Sequence, residues 1–408
     1  MKTEILQQYA ELLVRCGLNV QKDQEVIIMA DLDQPEFVAM CVEECYRAGA
    51  KKVIVDWMHQ KISKLHYEYQ SLETLSTLEK WQLEKWQWQV DQLPCKLYLE
   101  SEDPDGLSGI DQEKVSKARQ GWFPLVKPYR DKMENRYQWC IAAVPGKAWA
   151  KKVFPELGEA EAVEALWKAI LSTSRALEGE PLRNWDEHNQ DLKRRYDYLN
   201  SLHLRSLHYE SKNGTDFSVG LIDGCQFLGG GEVTLGGNFF NPNIPSEEIF
   251  TSPMAGAAEG IVHATKPLSY QGQLIENFWV RFEDGRAVEV GAEKNVELLR
   301  KMIAMDEGAA KLGECALIPF RSPINDTGIL FFSTLFDENA SCHLALGHGF
   351  TNLLEGFEDL TIEECYARGI NDSMIHVDFM IGSEDLSITG TTCDGKEVAI
   401  FRDGGWAF

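Results

Sequence analysis

Apolar residues recur in two rhythms along this chain, and the change of rhythm divides it. Between residues 4 and 16, Ile5, Tyr9, Leu12, Leu13 and Cys16 fall near a helical spacing of about 3.6 residues, which predicts an amphipathic helix. Short apolar runs at 25–30 and at Lys52–Met58 read as buried strands, and Pro35–Ala48 between them reads as a helix with proline in its first turn. Strand, helix, strand at that separation is a βαβ unit and implies parallel pairing. The alternation continues with a helix over 72–93 bearing Trp81, Trp86 and Trp88, strands over 96–100 and 138–144, and a helix over 159–177. An N-terminal α/β domain with a parallel sheet is therefore expected over residues 1–183, ending at Gly179-Glu180-Pro181.

The second rhythm begins after a charged helix expected over 184–200. From residue 203 onward the apolar stretches are short and separated by glycine clusters (Gly229–Gly231, Gly236–Gly237) and by turns such as Asn213-Gly214 and Asp284-Gly285. This texture predicts an α+β C-terminal domain over 184–408, built on a mainly antiparallel, twisted sheet. Helices are expected over 293–312 and around 340–347. Thr361-Ile362-Glu363-Glu364 has the form of a capping box opening a further short helix.

Charge and cysteine content then narrow the function. The 408 residues carry a formal net charge of -24, which disfavours nucleic acid and anionic membrane surfaces, since both recruit basic patches. No window approaches the roughly 18 continuous apolar residues of a membrane-spanning helix. The chain opens Met1-Lys2-Thr3-Glu4 without an apolar signal core or an arginine-rich transit pattern. Ten cysteines occur without a CxxC pair, as expected for reduced thiols, and the expected location is the cytoplasm. Gly229-Gly230-Gly231-Glu232 is not followed by GK[ST], and no GxGxxG closes a strand and opens a helix, so no nucleotide loop is expected. The three tryptophans of 72–93 are expected to serve packing or subunit contact.

Chemistry concentrates in the second half, where carboxylates and imidazoles interrupt apolar sequence. Glu247 and Glu248 precede Ile249-Phe250-Thr251, and Glu314 sits in the strand-like run 313–320. Glu338 and His343 bracket Asn339-Ala340-Ser341-Cys342, and His376 and Asp378 lie two apart in a strand, hence on one face. Each alone has an ordinary reading: Glu314 an edge-strand carboxylate, His376 a hydrogen-bonded core histidine, Asp378 a salt-bridge partner, Glu338 a helix-terminal charge. Together they are costly to bury without counter-charge, and mixed Glu, Asp and His donors suit zinc, manganese or cobalt. Glu248, Glu314, Glu338 and Asp378 supply four negative charges, which two divalent cations would balance with His343 and His376 neutral. Two metal ions acting on a water and a carbonyl oxygen is hydrolase chemistry.

Three of these segments also carry a resemblance. The stretches 241–253 (NPNIPSEEIFTSP), 322–347 (SPINDTGILFFSTLFDENASCHLALG) and 371–383 (NDSMIHVDFMIGS), with the early Gly17–Lys22 and the closing Gly404-Gly405-Trp406, are similar to the thermophilic metallo-aminopeptidases of the aminopeptidase T and aminopeptidase S type. The similarity runs through essentially the whole chain. It implies a metal-dependent aminopeptidase acting on peptides with a free N-terminus, usually a homodimer, with two divalent ions in the C-terminal domain. It carries the metal ligands onto Glu248 (favoured over Glu247 by spacing), Glu314, Glu338, His343, His376 and Asp378. Glu314 is expected to be the catalytic base or a bridging ligand. One position departs: seven residues after His343, where the family has a tyrosine implicated in catalysis, stands Phe350, which can neither coordinate nor donate a hydrogen bond. His348 is the nearest group that could compensate. The departure leaves open a catalytically weak paralogue with a binding or scaffolding role, or a hydrolase of a different amide or ester.

Overall fold

Backbone hydrogen bonding sorts the chain into the two sheet types that its rhythms predict. The computed structural model describes residues 1–408 and divides into two compact units. The first comprises Met1–Asn189 with Gly230–Ser246, and the second Gln190–Gly229 with Glu247–Phe408. No helix is long and apolar enough to cross a membrane.

The first unit is a parallel sheet flanked by helices. Its strands run in the order Asn243–Ile244, Trp139–Ala143, Cys95–Glu100, Glu25–Asp31, Lys52–Met58, all parallel to their neighbours. The strand Glu25–Asp31 is nearly continuous in apolar burial, as strands covered on both faces must be. The helix Pro35–Ala48 lies where proline and periodicity put it, and stops at Gly49, whose φ of 105° is open to glycine at little cost.

Three features of this unit differ from expectation. The N-terminal helix is α-helical over Thr3–Leu12 and widens into a π-helical turn over Leu13–Gly17. The helix expected over 72–93 is two helices, Leu72–Leu75 and Lys80–Gln92. Hydroxyl groups end the first: Ser76 Oγ donates to Leu72 O at 2.7 Å and Thr77 Oγ1 to Thr74 O at 3.2 Å. Gln82 then caps the start of the second, its Oε1 accepting the Glu79 N–H at 2.8 Å. The long helix Gln112–Met133 is masked in the sequence by Pro124 and Pro128 inside it.

The second unit holds two large antiparallel sheets and a two-stranded one, Leu268–Tyr270 with Gln273–Ile275. Eight strands run in the order Arg286–Gly291, Trp279–Glu283, Pro253–His263, Asp216–Leu221, Leu204–Glu210, Ser387–Thr392, Glu397–Arg402, Gly405–Trp406. Five run in the order His376–Met380, His343–Gly347, Leu312–Leu317, Ile249–Thr251, Leu228–Gly229. The helix expected around 340–347 is thus a strand. Leu-Ala-Leu is a good helix former, but a fully buried central strand shows no alternation to give itself away. The helix expected over 293–312 is confined to Val296–Ile303, and Leu312 already starts a strand. The box at Thr361 forms as read, with Thr361 and Glu364 capping each other's backbone N–H.

One apolar core joins the two sheets. Leu207, Phe217, Val262, Phe282, Ile388 and Phe401 from the larger meet Cys315, Leu317, Leu344, Leu346, Val377 and Phe379 from the smaller. The five-stranded sheet thereby spends one face on packing and keeps the other for different side chains. Leu344, fully buried in the central hydrogen-bonding position of that face, tests the arrangement. Leu344→Ala should lower unfolding free energy by about 2–5 kcal/mol in a denaturant titration. A loss below about 0.5 kcal/mol, the scale of a surface change, would show that the sheet does not rest on this core.

Candidate metal centre

The five-stranded sheet sets its second face by register. Ala345 pairs with Asp378 and with Glu314, Ala316 pairs with His343, Gly347 with His376, and Phe250 with Ala316. Since side chains alternate, Glu314, His343, His376 and Asp378 project from one face, and Glu248, two residues before Phe250, lies on the same side. Glu338 arrives from the last position of the short helix Thr334–Glu338. That helix is pinned by the stacked rings of Phe331 and Phe336, 4.6 Å apart, and by Asp337, whose Oδ1 accepts the Phe331 N–H at 2.9 Å. Burial pushes the Asp337 carboxyl up to about 7 despite that bond.

All six expected side chains converge. His343 Nε2 lies 3.4 Å from Glu248 Oε2, 3.9 Å from Glu314 Oε1 and 3.9 Å from Asp378 Oδ1. His376 Nε2 lies 3.1 Å from Glu314 Oε2 and 3.2 Å from Asp378 Oδ1. Two ligand groupings result, Glu248–Glu314–His343 and Glu314–His376–Asp378, each with its donor atoms within 4.8 Å of one another. Glu314 belongs to both and turns a different oxygen to each imidazole. Of the Glu247–Glu248 pair, it is Glu248 that joins them. Glu338 stands beside Asp378, Glu248 and Glu314, which together with burial drive its carboxyl well above the usual range.

Both imidazoles are held in one orientation by the backbone. His343 Nδ1 lies 2.8 Å from Glu338 O, and His376 Nδ1 lies 2.7 Å from His348 O. A carbonyl only accepts, so each Nδ1 must carry a proton and donate it, which leaves each Nε2 to face the carboxylates. The His348 carbonyl is itself set by a close backbone approach: a Cβ at Gly313 would fall 2.1 Å from it and 2.4 Å from Gly347 O. The strand pairing shifts register at the same place, between Leu312 and Glu314.

The electrostatics are those of a site short of positive charge. Burial raises Glu314, with Glu248 adding to it against the pull of the two histidines. Burial opposes protonation of His376, yet the Asp378 and Glu314 carboxylates outweigh it and hold the imidazole well above its ordinary value. Asp378 is pulled down to about 2, its burial overcome by His376 and His343. Asp378 Oδ1 is nonetheless a buried oxygen that accepts no hydrogen bond, although His376 Nε2 is near. A buried acceptor of that kind beside a second carboxylate and two oriented imidazoles suits a cation. The donor set, oxygen and imidazole nitrogen without thiolate, fits a borderline divalent ion.

The cluster opens on one side only. Glu248, Glu314, His343 and Asp378 side chains are all below 10% exposed, whereas His376 is 29% exposed. Phe350 stands at that side, its ring 5.2 Å from both His376 and Phe250. His348 faces Asp372 at 3.8 Å and contributes to the cluster through its backbone carbonyl. One residue escaped the sequence reading. Asn339 is completely buried and hydrogen-bonds both the Glu247 backbone and the Glu338 side chain. The signal was an uncharged amide wedged in Asp337-Glu338-Asn339, a place where only a satisfied one can be buried.

Comparison with known proteins agrees with this geometry. A family model described as thermophilic metalloprotease (M29) matches residues 2–406. Aminopeptidase AmpS of Bacillus subtilis is 40% identical over 404 residues, 99% of this chain and 98% of that protein. Aminopeptidase T of Thermus aquaticus is 39% identical over 405 residues, at the same coverage of both. The solved structure of wild-type AmpT from Thermus thermophilus superposes with a TM-score of 0.89 at 39% identity, over 99% of each chain. A 2,5-dihydroxypyridine dioxygenase from Pseudomonas putida KT2440, with a TM-score of 0.51 at 16% identity, shares the fold alone. With oxygen and imidazole donors gathered on one sheet face and similarity over its whole length, the chain belongs to the thermophilic metalloprotease (M29) family.

Proposed function

We propose that this chain is a metal-dependent aminopeptidase that removes N-terminal residues from peptides with the help of two divalent ions, zinc, cobalt or manganese. The observation that carries the reading is the pair of ligand groupings sharing Glu314 on one sheet face. Glu248, Glu314 and His343 would hold one ion, Glu314, His376 and Asp378 the other, with Glu338 completing the set. The two oxygens of Glu314 face different imidazoles, which supports the bridging role over that of base. Ions bound there supply Lewis acidity, polarising the scissile carbonyl and making water nucleophilic at neutral pH. The two relatives about 40% identical over nearly the whole chain are both named aminopeptidases, which supports an exopeptidase.

The chain's own groups do the rest. The buried carboxylates favour the cationic α-ammonium of a peptide over a blocked terminus, because a charge desolvated there needs a partner. Burial and the neighbouring Asp378, Glu248 and Glu314 hold the Glu338 carboxyl well above the usual range, so it gives up its proton when a cation takes that place. The backbone carbonyls of Glu338 and His348 keep His343 and His376 from turning during the cycle. Phe350 and Phe250 wall the open side with apolar surface and limit water. A homodimer in the cytoplasm accompanies this reading, as the resemblance implies.

Four measurements test it. Aminoacyl chromogenic amides should be cleaved only with a free amino group, and chelator should abolish release until Zn2+, Co2+ or Mn2+ is restored. Hydrolysis of N-blocked substrates, or no release with any ion, would sink the proposal. For Glu314→Gln, turnover should fall by about 10²-fold or more and bound metal should drop, as loss of a shared ligand requires; near wild-type turnover at full metal content would remove Glu314 from its role. Metal affinity should rise with pH. Glu314, Glu338 and His376 all hold protons above their ordinary values, and each must lose its proton to coordinate. Affinity is thus lost as pH falls, by about tenfold per unit for each proton displaced, readable by calorimetry in buffers of different ionisation heat. Finally, Phe350→Tyr should raise kcat about tenfold or more with little change in KM, since one oxyanion donor is worth about 10²–10³. An unchanged kcat would show that catalysis here does not lack a hydroxyl.

A further inference from the structure

Asn339 is fully buried between two of the acidic segments and is bonded at both ends. Its Oδ1 accepts the Glu247 backbone N–H at 2.8 Å, while its Nδ2 donates to Leu335 O at 3.0 Å and to Glu338 Oε1 at 3.3 Å. The orientation of the amide is dictated, since an N–H needs an oxygen opposite it and a carbonyl needs a nitrogen. We propose that Asn339 is a positioning residue for the metal centre that makes Glu338 a one-oxygen ligand. This rests on the metal reading given above.

A carboxylate presents two equivalent oxygens and can offer either or both by turning about its last torsion. A donor fixed on Oε1 breaks that equivalence and engages that oxygen, so that Oε2 is the one left for a cation. The same side chain clamps the peptide of Glu247, one residue from Glu248. Two ligands from segments about ninety residues apart are thereby tied to one amide. Asp in this place would turn a carboxylate oxygen toward Glu338 Oε1 and Leu335 O, both acceptors, and add charge to a patch already crowded with it.

The test is Zn2+ affinity by calorimetry on the full chain for wild type, Asn339→Ala, Asn339→Asp, Glu338→Gln and the double variant Glu338→Gln/Asn339→Ala. Asn339→Ala and Asn339→Asp should bind Zn2+ about 10–100-fold more weakly, the usual cost of losing a group that orients a ligand. Aminoacyl-amide turnover should recover at saturating Zn2+ with KM within about twofold of wild type. The double variant should lose less than the sum of the two single losses, because part of what Asn339 does is done through Glu338. Unchanged Zn2+ affinity in folded Asn339→Ala, or additive losses in the double variant, would overturn the inference and leave Asn339 a structural residue. Should Asn339→Ala fail to fold by circular dichroism, Asn339→Ser, which keeps a small polar group, carries the same comparison. A wild-type chain that binds no Zn2+ would overturn the underlying metal reading, and the inference with it.

Discussion

Everything in the second unit answers to the mutual repulsion of four carboxylates placed on a dry patch of sheet. Glu248, Glu314, Glu338 and Asp378 are all buried, and in a poorly polarisable interior their charges act on one another far more strongly than in water. The fold resolves the conflict in two ways. It distributes the groups over separated strands and one helix, so that no single segment bears the strain. It also favours protons or cations in the cluster, since the crowded carboxylates push both Glu338 and His376 well above their ordinary ranges.

Such a patch needs a rigid support, and the opposite face of the same strands provides it. Cys315, Leu344, Leu346, Val377 and Phe379 alternate with the carboxylates and imidazoles along the chain and lock the sheet against its larger neighbour. Packing and chemistry are therefore interleaved residue by residue. A one-residue slip in any of these strands would bury the polar cluster in the apolar core and bring the core residues to its place.

Much of this is legible in the sequence alone. The βαβ texture of the first half gives the parallel sheet, with Pro35–Ala48 and Lys52–Met58 read to the residue. His376 and Asp378 share a face because strands have a period of two. What was hidden has physical causes. A strand buried on both faces, such as His343–Gly347, shows no alternation and can be taken for a helix. Prolines inside Gln112–Met133 conceal a helix that tertiary packing sustains. Asn339 carries no chemistry of its own, and its importance lies in what its two ends reach. The return of Gly230–Ser246 to the first unit depends on pairing between Asn243–Ile244 and Trp139–Ala143, a contact remote in sequence.

The close approach at Gly313 has a further consequence. A hydrogen atom there, instead of a methyl group, is what lets the His348 carbonyl stand where it can accept a hydrogen bond from His376 Nδ1. The residue has no side chain to bind anything, yet its smallness sets the aim of an imidazole two strands away. A position can thus be indispensable to reactivity through the volume it leaves vacant. A search that ranks residues by the groups they bear will pass over it, while a random library would register it as intolerant to every replacement.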